Sequence, residues 1–399
     1  MPGPLHGYRV IDLTSMISGP LASGLLADQG ADVLKIENPA GGDYTRSAAN
    51  RRGGFSATFL HNNRNKRSVV LNLKHPRAVK ALLKLVAGAD VFIQNFRPGV
   101  IERMGLGEDV IRETAPAIVY VSISGFGDRG PYAARPVYDP LVQALSGLAS
   151  IQAGADHERP RLVRTILPDK LTGIVAAQAV TAALLARARS GQGQHLRLSM
   201  LDAVVAFLWG SDMGSQTFVG DELPQEAAAS FIDLIYETAD DYISVAVQTD
   251  REWQALARAV DHPEWLEDPR FRTPELRQQH IDARLDLTQD ALRGERAAVW
   301  LERLERAGVP CAPVLTRRET LDHPQVRANG VLFETDHPQA GRLRQARPAA
   351  RFGHDTLDLA RHPAPALGEH TAAALREAGY DDDAIAGLQA DGAIGGHHP

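Results

Sequence analysis

The chain has 399 residues and a formal net charge of −6, with 44% hydrophobic and 23% charged residues. That composition is globular rather than disordered or fibrous, and the length calls for two domains or one large domain with an insertion. A mild acidic excess argues against a general nucleic-acid binder, although it leaves room for local basic sites that grip a phosphorylated ligand. The single cysteine, Cys311, excludes an intramolecular disulfide and a Cys-based zinc site, and points to a reducing compartment. The start, Met1-Pro2-Gly3-Pro4, lacks the basic and apolar regions of a signal peptide. The longest nearly apolar run, residues 174–186, is short for a bilayer span and reads as a buried core helix. The expectation is a soluble, cytoplasmic protein with no membrane segment and no nucleic-acid partner.

In chain order, Tyr8-Arg9-Val10-Ile11-Asp12-Leu13 is short and β-branched and reads as a strand. Ser18-Gly19-Pro20 then marks a helix start, with proline in the first turn where its missing N–H costs nothing. The helix continues over 21–29, Gly30 stops it, and Asp32-Val33-Leu34-Lys35-Ile36-Glu37 is the second strand. The rhythm returns with strand Ser68-Val69-Val70-Leu71, helix 76–86, strand Asp90-Val91-Phe92-Ile93-Gln94, a short helix, and strand Ile118-Val119-Tyr120-Val121-Ser122-Ile123. Such alternation implies the α/β class, a mostly parallel sheet covered on both faces. After an alanine-rich helix, Gly193-Gln194-His195-Leu196-Arg197-Leu198-Ser199 adds a strand, and Met200 beyond it reads as core.

The character then changes. Residues 236–247 read as an antiparallel hairpin turning at Asp240-Asp241. Residues 250–306 are helical, with Trp253, Leu256, Val260, Leu285, Leu287, Leu292, Trp300, Leu301 and Leu304 as core positions. This gives a large domain over 1–229, a small α+β domain over 230–315, and a return into the large domain over 316–399. Pro324, Pro338, Pro348, Pro363 and Pro365 make 316–365 read as an extended path. A final helix over 371–378 closes at Gly379, and the tail 395–399 is expected to be mobile.

One ordered set of segments runs along nearly the whole chain. It comprises Ser18-Gly19-Pro20 with Ala31-Asp32-Val33-Leu34-Lys35-Ile36-Glu37, Asn65-Lys66-Arg67-Ser68, Asn95-Phe96-Arg97-Pro98-Gly99 and Ser124-Gly125-Phe126-Gly127. Gly130-Pro131-Tyr132, residues 143–147, Asp169 with Thr172-Gly173, Gly191-Gln192-Gly193-Gln194 and Leu367-Gly368-Glu369-His370 complete it. Each piece alone is a weak signal, but the ordered set resembles the family III CoA-transferases, which include formyl-CoA:oxalate and carnitine CoA-transferases. The resemblance implies a Rossmann-like large domain built from both chain ends and a small domain from the middle. It also implies a homodimer of interlocked rings. The implied partners are an acyl-CoA and a small carboxylic acid, with coenzyme A as the carrier and no metal.

Asp169 lies in Ile166-Leu167-Pro168-Asp169-Lys170-Leu171-Thr172-Gly173, just before the alanine-rich helix. Taken from the residues alone, it is a helix N-cap. The resemblance instead implies the catalytic carboxylate, which would pass acyl groups and CoA through a mixed anhydride and an aspartyl-CoA thioester. The resemblance also places CoA contacts at Ile17, Ser18, Leu71 through Lys74, Asn95, Phe96, Arg97, Arg103, Met104 and Tyr138. Lys74, Arg97 and Arg103 are the expected phosphate partners, since pyrophosphate and 3′-phosphate call for cations and free N–H groups. Arg97 follows a strand end, where α/β proteins collect ligands. Asn38 and Pro136 stand where some relatives carry arginine and lysine, with Arg135 as a candidate substitute. Asp139 matches an acidic position near the nucleophile. Gly125-Phe126-Gly127 offers backbone donors for an oxyanion. Arg46 is read as a structural salt bridge ahead of a substrate contact. The fourteen histidines show no metal-site spacing.

Two alternatives stay open. An α-methylacyl-CoA racemase on the same fold needs two bases, and where racemases carry histidine this chain has Tyr138, whose ordinary pKa of about 10 suits no base at neutral pH. The nearest histidine in sequence, His157, reads as loop. A Rossmann dehydrogenase or a non-catalytic nucleotide module would need Gly-x-Gly-x-x-Gly after the first strand, and the turn reads Thr14-Ser15-Met16-Ile17-Ser18-Gly19-Pro20. Residues 222–250 hold no glycine-rich run, so formyl–oxalate specificity is not expected.

Overall fold

A computed structural model describes residues 3–154, 158–220, 234–352 and 361–395. His157, the tail 396–399 and the first part of the 222–250 segment lie outside the described residues. The chain forms two compact units, one of Met1–Ala149, Arg161–Met213 and Gly330–Pro399, the other of Ser150–Pro160 and Gly214–Asn329.

The first unit is built on six strands: β1 (Arg9–Asp12), β2 (Asp32–Glu37), β3 (Lys66–Val70), β4 (Val91–Gln94), β5 (Val119–Ser124) and β6 (His195–Ser199). They lie in the order β3-β2-β1-β4-β5-β6, and every neighbouring pair is parallel. The helices that matter below are α1 (Ser18–Asp28), α2 (Pro76–Val86), α3 (Glu108–Thr114), α4 (Asp139–Leu145), α5 (Leu167–Ser190) and α6 (Met200–Leu208). Strand periodicity of two sorts the apolar residues onto both faces. Val10, Val33, Val91, Val119 and Val121 pack with Ala22 and Leu26 of α1 and Ala176 and Val180 of α5. Ile11, Leu34, Val69, Phe92 and Tyr120 pack on the other face with α2, α3 and the C-terminal residues Leu375 and Leu388.

Three expectations need correction. The return path is not simply extended: Leu332–His337 and Gly341–Ala346 pair as an antiparallel hairpin after a helix Pro324–Asn329. Its prolines sit where they break nothing, Pro324 opening the helix, Pro338 in the turn and Pro348 beyond the second strand. Helix Thr371–Glu377 is not the last, because Asp381 caps Asp382–Ala390 by accepting the Ala384 N–H at 2.8 Å. Helix α5 spans 24 residues, long and apolar enough by length and composition to cross a membrane. It buries Ala176, Val180 and Leu184 in the first unit but exposes Ile174 and Leu185, so it is not buried all round.

In the second unit, Ile235–Glu237 and Tyr242–Val245 form the expected hairpin, and Cys311–Pro313 joins it antiparallel. Helix Asp250–Ala259 starts with a capping box between Thr249 and Glu252. Trp253, Leu256, Val260, Leu285, Leu292, Trp300 and Leu304 are buried there, with Leu287 and Leu301 partly so.

A buried charge cluster underlies α1. Asp12, at the end of β1, accepts from Ser23 Oγ at 2.6 Å and from Lys66 Nζ at 3.2 Å. Lys66 Nζ also donates to Pro20 O, Ser23 Oγ and Asn63 Oδ1. Lys35 pairs with Asp43 at 2.8 Å and donates to Thr14 O at 2.9 Å. Burial opposes the charge on Asp12, but Lys35 and Lys66 outweigh it and hold its carboxyl below the usual range. Burial pushes Lys66 down to about 8, against the pull of Asp12. Removing one partner of such a cluster leaves an uncompensated buried charge. Lys66→Met is therefore expected to lower the unfolding free energy by about 3–5 kcal/mol, measured by urea denaturation. A loss below about 1 kcal/mol would show that the cluster holds nothing in place.

Candidate active site

Ligands of parallel α/β sheets collect beyond the carboxyl ends of the strands, where the strand order reverses. Here the reversal falls between β1 and β4. Asn95, just after β4, clips the loop after β1 at both edges: its Nδ2 donates to Ser15 O at 2.8 Å, and its Oδ1 accepts the Ser15 N–H at 3.1 Å. Met16 follows in the left-handed region, at φ 71°, and turns the chain so that α1 begins at Ser18. Ile17 precedes the helix with no side-chain cap, and the first-turn residues Ser18, Gly19 and Pro20 are buried.

Helix α5 crosses α1 at this point. A Cβ on Gly173 would lie 2.8 Å from Ser18 O and 3.1 Å from the Leu21 side chain. Asp169 is one turn earlier on the same face of α5 and faces the backbone N–H and hydroxyl of Ser18.

Asp169 is not the N-cap. Helix α5 starts at Leu167, its N-cap is Ile166 with no side-chain cap, and Asp169 is the third helical residue. The unpaired first-turn N–H of Asp169 is taken from outside, by Asp139 Oδ2 at 3.3 Å. Asp139 thus performs the capping that the local sequence suggested for Asp169, and frees the Asp169 carboxylate. Gln143 holds Asp139 in turn: its Nε2 donates to Asp139 Oδ1 at 2.7 Å, and its Oε1 accepts the Val163 N–H at 2.9 Å, fixing the segment that enters α5. In the sequence Gln143 stands out only as part of the segment 143–147. Its spacing of four from Asp139 on α4 was the signal for this contact.

Burial, first, and then the like charge of Asp139 push Asp169 up to about 6, and the Ser18 N–H and hydroxyl only partly offset this. A half-buried carboxylate that readily takes a proton is the kind of group that serves as nucleophile or base.

The remaining predicted residues sit along the same edge. Leu71 follows β3, bridges Ile394, and has its side chain in the core. Lys74 is exposed beyond it. Phe96 and Arg97 follow β4, and Arg103 and Met104 end the short helix Val100–Arg103. The side chains of Lys74, Arg97 and Arg103 are exposed, and among the described residues none forms an ion pair. Tyr138 is exposed at the start of α4. Arg135 lies over the Tyr132 ring at 3.8 Å, and Asn38 donates to Gly42 O.

The Gly127 N–H already donates to Ser124 Oγ at 3.1 Å, so it is not a free oxyanion donor. Arg46 grips Glu37 through two nitrogens, at 2.7 and 2.8 Å, as the salt-bridge reading expected.

The model of CoA-transferase family III matches residues 5–371. The chain belongs to this family. It is 33% identical to human succinyl-CoA:glutarate CoA-transferase, over 99% of this chain and 90% of that one. It is 35% identical to acetyl-CoA:oxalate CoA-transferase of Acetobacter aceti, over 94% and 96% of the two chains. Among solved structures, a CAIB/BAIF family protein from Brucella suis superposes with a TM-score of 0.81 at 29% identity, covering 95% of this chain and 100% of that one. The protein is therefore a family III CoA-transferase, which moves CoA between an acyl-CoA and a carboxylic acid.

If the transferase acts through ionised Asp169, kcat/KM falls along an acid limb centred at about pH 6. An acid with a raised proton affinity loses its charged form on the way down in pH sooner than an ordinary aspartate does. Asp139→Asn removes the like charge and is expected to shift the limb to lower pH. Profiles of kcat/KM against pH for both proteins check this, and a limb that stays where it was would disprove the coupling.

Proposed function

We propose that Asp169 is the covalent carrier of this CoA-transferase. The observation that carries the reading is the Asp169 carboxylate itself: freed from capping, half-buried, raised in proton affinity, and set against Ser18 at the carboxyl edge of the parallel sheet. Its oxygen attacks the thioester carbon of an acyl-CoA, the C–S bond breaks, and CoA leaves as thiolate. The thiolate then attacks the aspartyl carbonyl of the mixed anhydride and expels the donor carboxylate, leaving an aspartyl-CoA thioester. An acceptor carboxylate attacks that thioester, and the released thiolate takes the new acyl group, which regenerates Asp169. The activation of the thioester passes into the anhydride and back into a thioester without hydrolysis, so no ATP is consumed. Both intermediates react with water, and the partial burial of Asp169 restricts its access.

Among the described residues Lys74, Arg97 and Arg103 form no ion pair, and they lie beyond the strand ends, with Arg103 closing the short helix Val100–Arg103, which suits the phosphates of CoA. Ile17 and Ser18 stand at the N-terminus of α1, and Asn95, Phe96, Met104 and Tyr138 follow in sequence order beyond the strand ends.

The reading is tested by incubating the enzyme with a labelled acyl-CoA and hydroxylamine. Wild type is expected to yield a trapped aspartyl species, while Asp169→Ala yields none and loses transfer with its fold retained. Residual turnover within about tenfold of wild type, only about 1.4 kcal/mol of barrier, would remove Asp169 from the role. The same enzyme given one 2-methylacyl-CoA epimer in deuterated water, without acceptor acid, should retain the C2 proton. Deuterium wash-in with racemisation would favour the isomerase chemistry.

We also propose a homodimer of interlocked rings, working in the cytoplasm. Leu141 and Leu145 of α4, Ile174 and Leu185 of α5, Phe207 of α6 and the adjoining Trp209 are exposed on helices that pack on one another. Large apolar side chains gathered in this way favour burial against a partner. Sedimentation at micromolar concentration is expected to give the dimer mass, and an active monomer would refute it.

A further inference from the structure

A row of polar side chains crosses one face of the sheet, apart from Asp169, from the carboxyl end of β4 to the amino end of β6. Alternation puts Gln94 of β4, Ser122 of β5 and His195 of β6 on the face that carries Phe92 and Tyr120. Gln94 and Ser122 are register partners, and His195 stands edge-on to Tyr120 at 4.9 Å. Gln94 Nε2 donates to Ser122 Oγ at 3.0 Å, and Ser122 Oγ lies 2.9 Å from His195 Nε2. His195 Nδ1 meets the Glu108 carboxylate from α3. At the other end, Gln94 Oε1 accepts the Phe96 N–H at 2.8 Å, beside Arg97. All of these side chains except Glu108 lie on or next to the strands, and the row lines a cleft of about 360 Å³ that Arg97 also borders.

The chain of hydrogen bonds has one sense. A carboxylate only accepts, so His195 Nδ1 carries the ring proton and Nε2 is an acceptor. Ser122 must then donate to His195 and accept from the Gln94 amide nitrogen. That leaves Gln94 Oε1 for Phe96 N–H, which can only donate, so the two ends agree. The order serine, histidine, acid is also that of a nucleophilic triad. However, β5 is paired on both sides at Ser122, so its backbone offers no free N–H for an oxyanion. The geometry suits positioning.

We infer that Glu108, His195, Ser122 and Gln94 form a relay that fixes the Phe96-Arg97 loop for CoA, and that a proton on His195 Nε2 reverses the relay and loosens that loop. The inference rests on the CoA-transferase reading. A doubly protonated ring donates from both nitrogens, so Ser122 must turn to accept from it and donate to Gln94. The turned amide then points its NH2 at Phe96 N–H, donor against donor. The groups facing His195 are Glu108 and Arg112 of α3, Arg197 of β6, itself shared with Glu108 and Asp128, and Tyr120 of β5. Burial holds the ring below the usual histidine range against the pull of Glu108, and Arg197 and Arg112 add to burial. The neutral relay is thus the resting form near neutral pH.

The test is calorimetric titration with CoA at about pH 7.5 and about pH 5.5, with melting temperatures measured alongside. Wild type is expected to bind CoA more weakly at the acid pH. Ser122→Ala should bind about fivefold more weakly at the higher pH, melt near wild type, and show a smaller further loss on acidification. His195→Gln, whose amide oxygen still accepts from Ser122 but takes no proton, should keep the neutral affinity and lose the extra acid weakening. Equal affinities for Ser122→Ala and wild type at both pH values would overturn the relay alone. Absence of any CoA binding by wild type would overturn the transferase reading, and the relay with it.

Discussion

The site depends on one close approach, the crossing of α1 and α5 at Ser18 and Gly173. A side chain at 173 would place its first carbon 2.8 Å from Ser18 O, so glycine there sets the distance between the helices. Asp169, four residues earlier, is brought against Ser18 by that contact and by nothing in its own neighbourhood of sequence. Gly19 acts in the same way one residue into α1, where a Cβ would lie 2.2 Å from Thr14 Cβ and force the loop after β1 open. Displacements of about 1 Å at a reacting group cost on the order of a hundredfold in rate. Two glycines therefore do for this site what no polar residue could do.

Close approach needs an α1 that does not move, and the buried charges supply that. Low local polarity strengthens every contact within the cluster, and a densely connected network admits few alternatives. Lys66 ties Asp12 to the Pro20 carbonyl and the Ser23 hydroxyl, while Lys35 ties Asp43 to the Thr14 carbonyl. The same short motif also anchors the far end of the chain. Arg67 reaches Asp32 and Glu377, and Ser68 donates to Glu37 and accepts the Gly368 N–H. Asn65-Lys66-Arg67-Ser68 and Leu367-Gly368-Glu369-His370, about three hundred residues apart, are thus two halves of one joint.

The strands and helices were legible because alternating apolar residues and start or stop signals act locally. Helix 76–86 and the hairpin around Asp240-Asp241 needed nothing more. The pairing of Leu332–His337 with Gly341–Ala346 was obscured because its prolines look like breakers until their places at the ends of elements are known. Lys35 and Lys66 lie in strands and look like solvent-facing cations, since only the fold brings Asp12 and Asp43 to them. The residues around Asp169 suggest a cap for a related reason: the partner of its N–H, Asp139, is thirty residues away on another helix. The Gln94, Ser122 and His195 row was within reach of strand alternation, but the strand order that makes the three neighbours was not.

The electrostatics of Asp169 run against its position. The third residue of a 24-residue helix lies in a field that favours negative charge, and the Ser18 N–H and hydroxyl add to it. Burial and Asp139 nevertheless prevail, and the carboxylate is left more basic than a free aspartate. On the proposed route this basicity acts twice. It makes the carboxylate a better nucleophile toward the thioester. It also makes Asp169 a poorer leaving group once the mixed anhydride has formed. A returning thiolate has two carbonyls to attack: the acyl carbon, which expels Asp169 and restores the starting complex, and the aspartyl carbon, which expels the donor acid and carries the reaction forward. Raising the basicity of Asp169 disfavours the first departure and so directs the thiolate to the aspartyl carbon. On that proposed route Asp139, by holding the Asp169 N–H while adding a negative charge beside it, would link the geometry of the carboxylate to the direction in which the anhydride breaks.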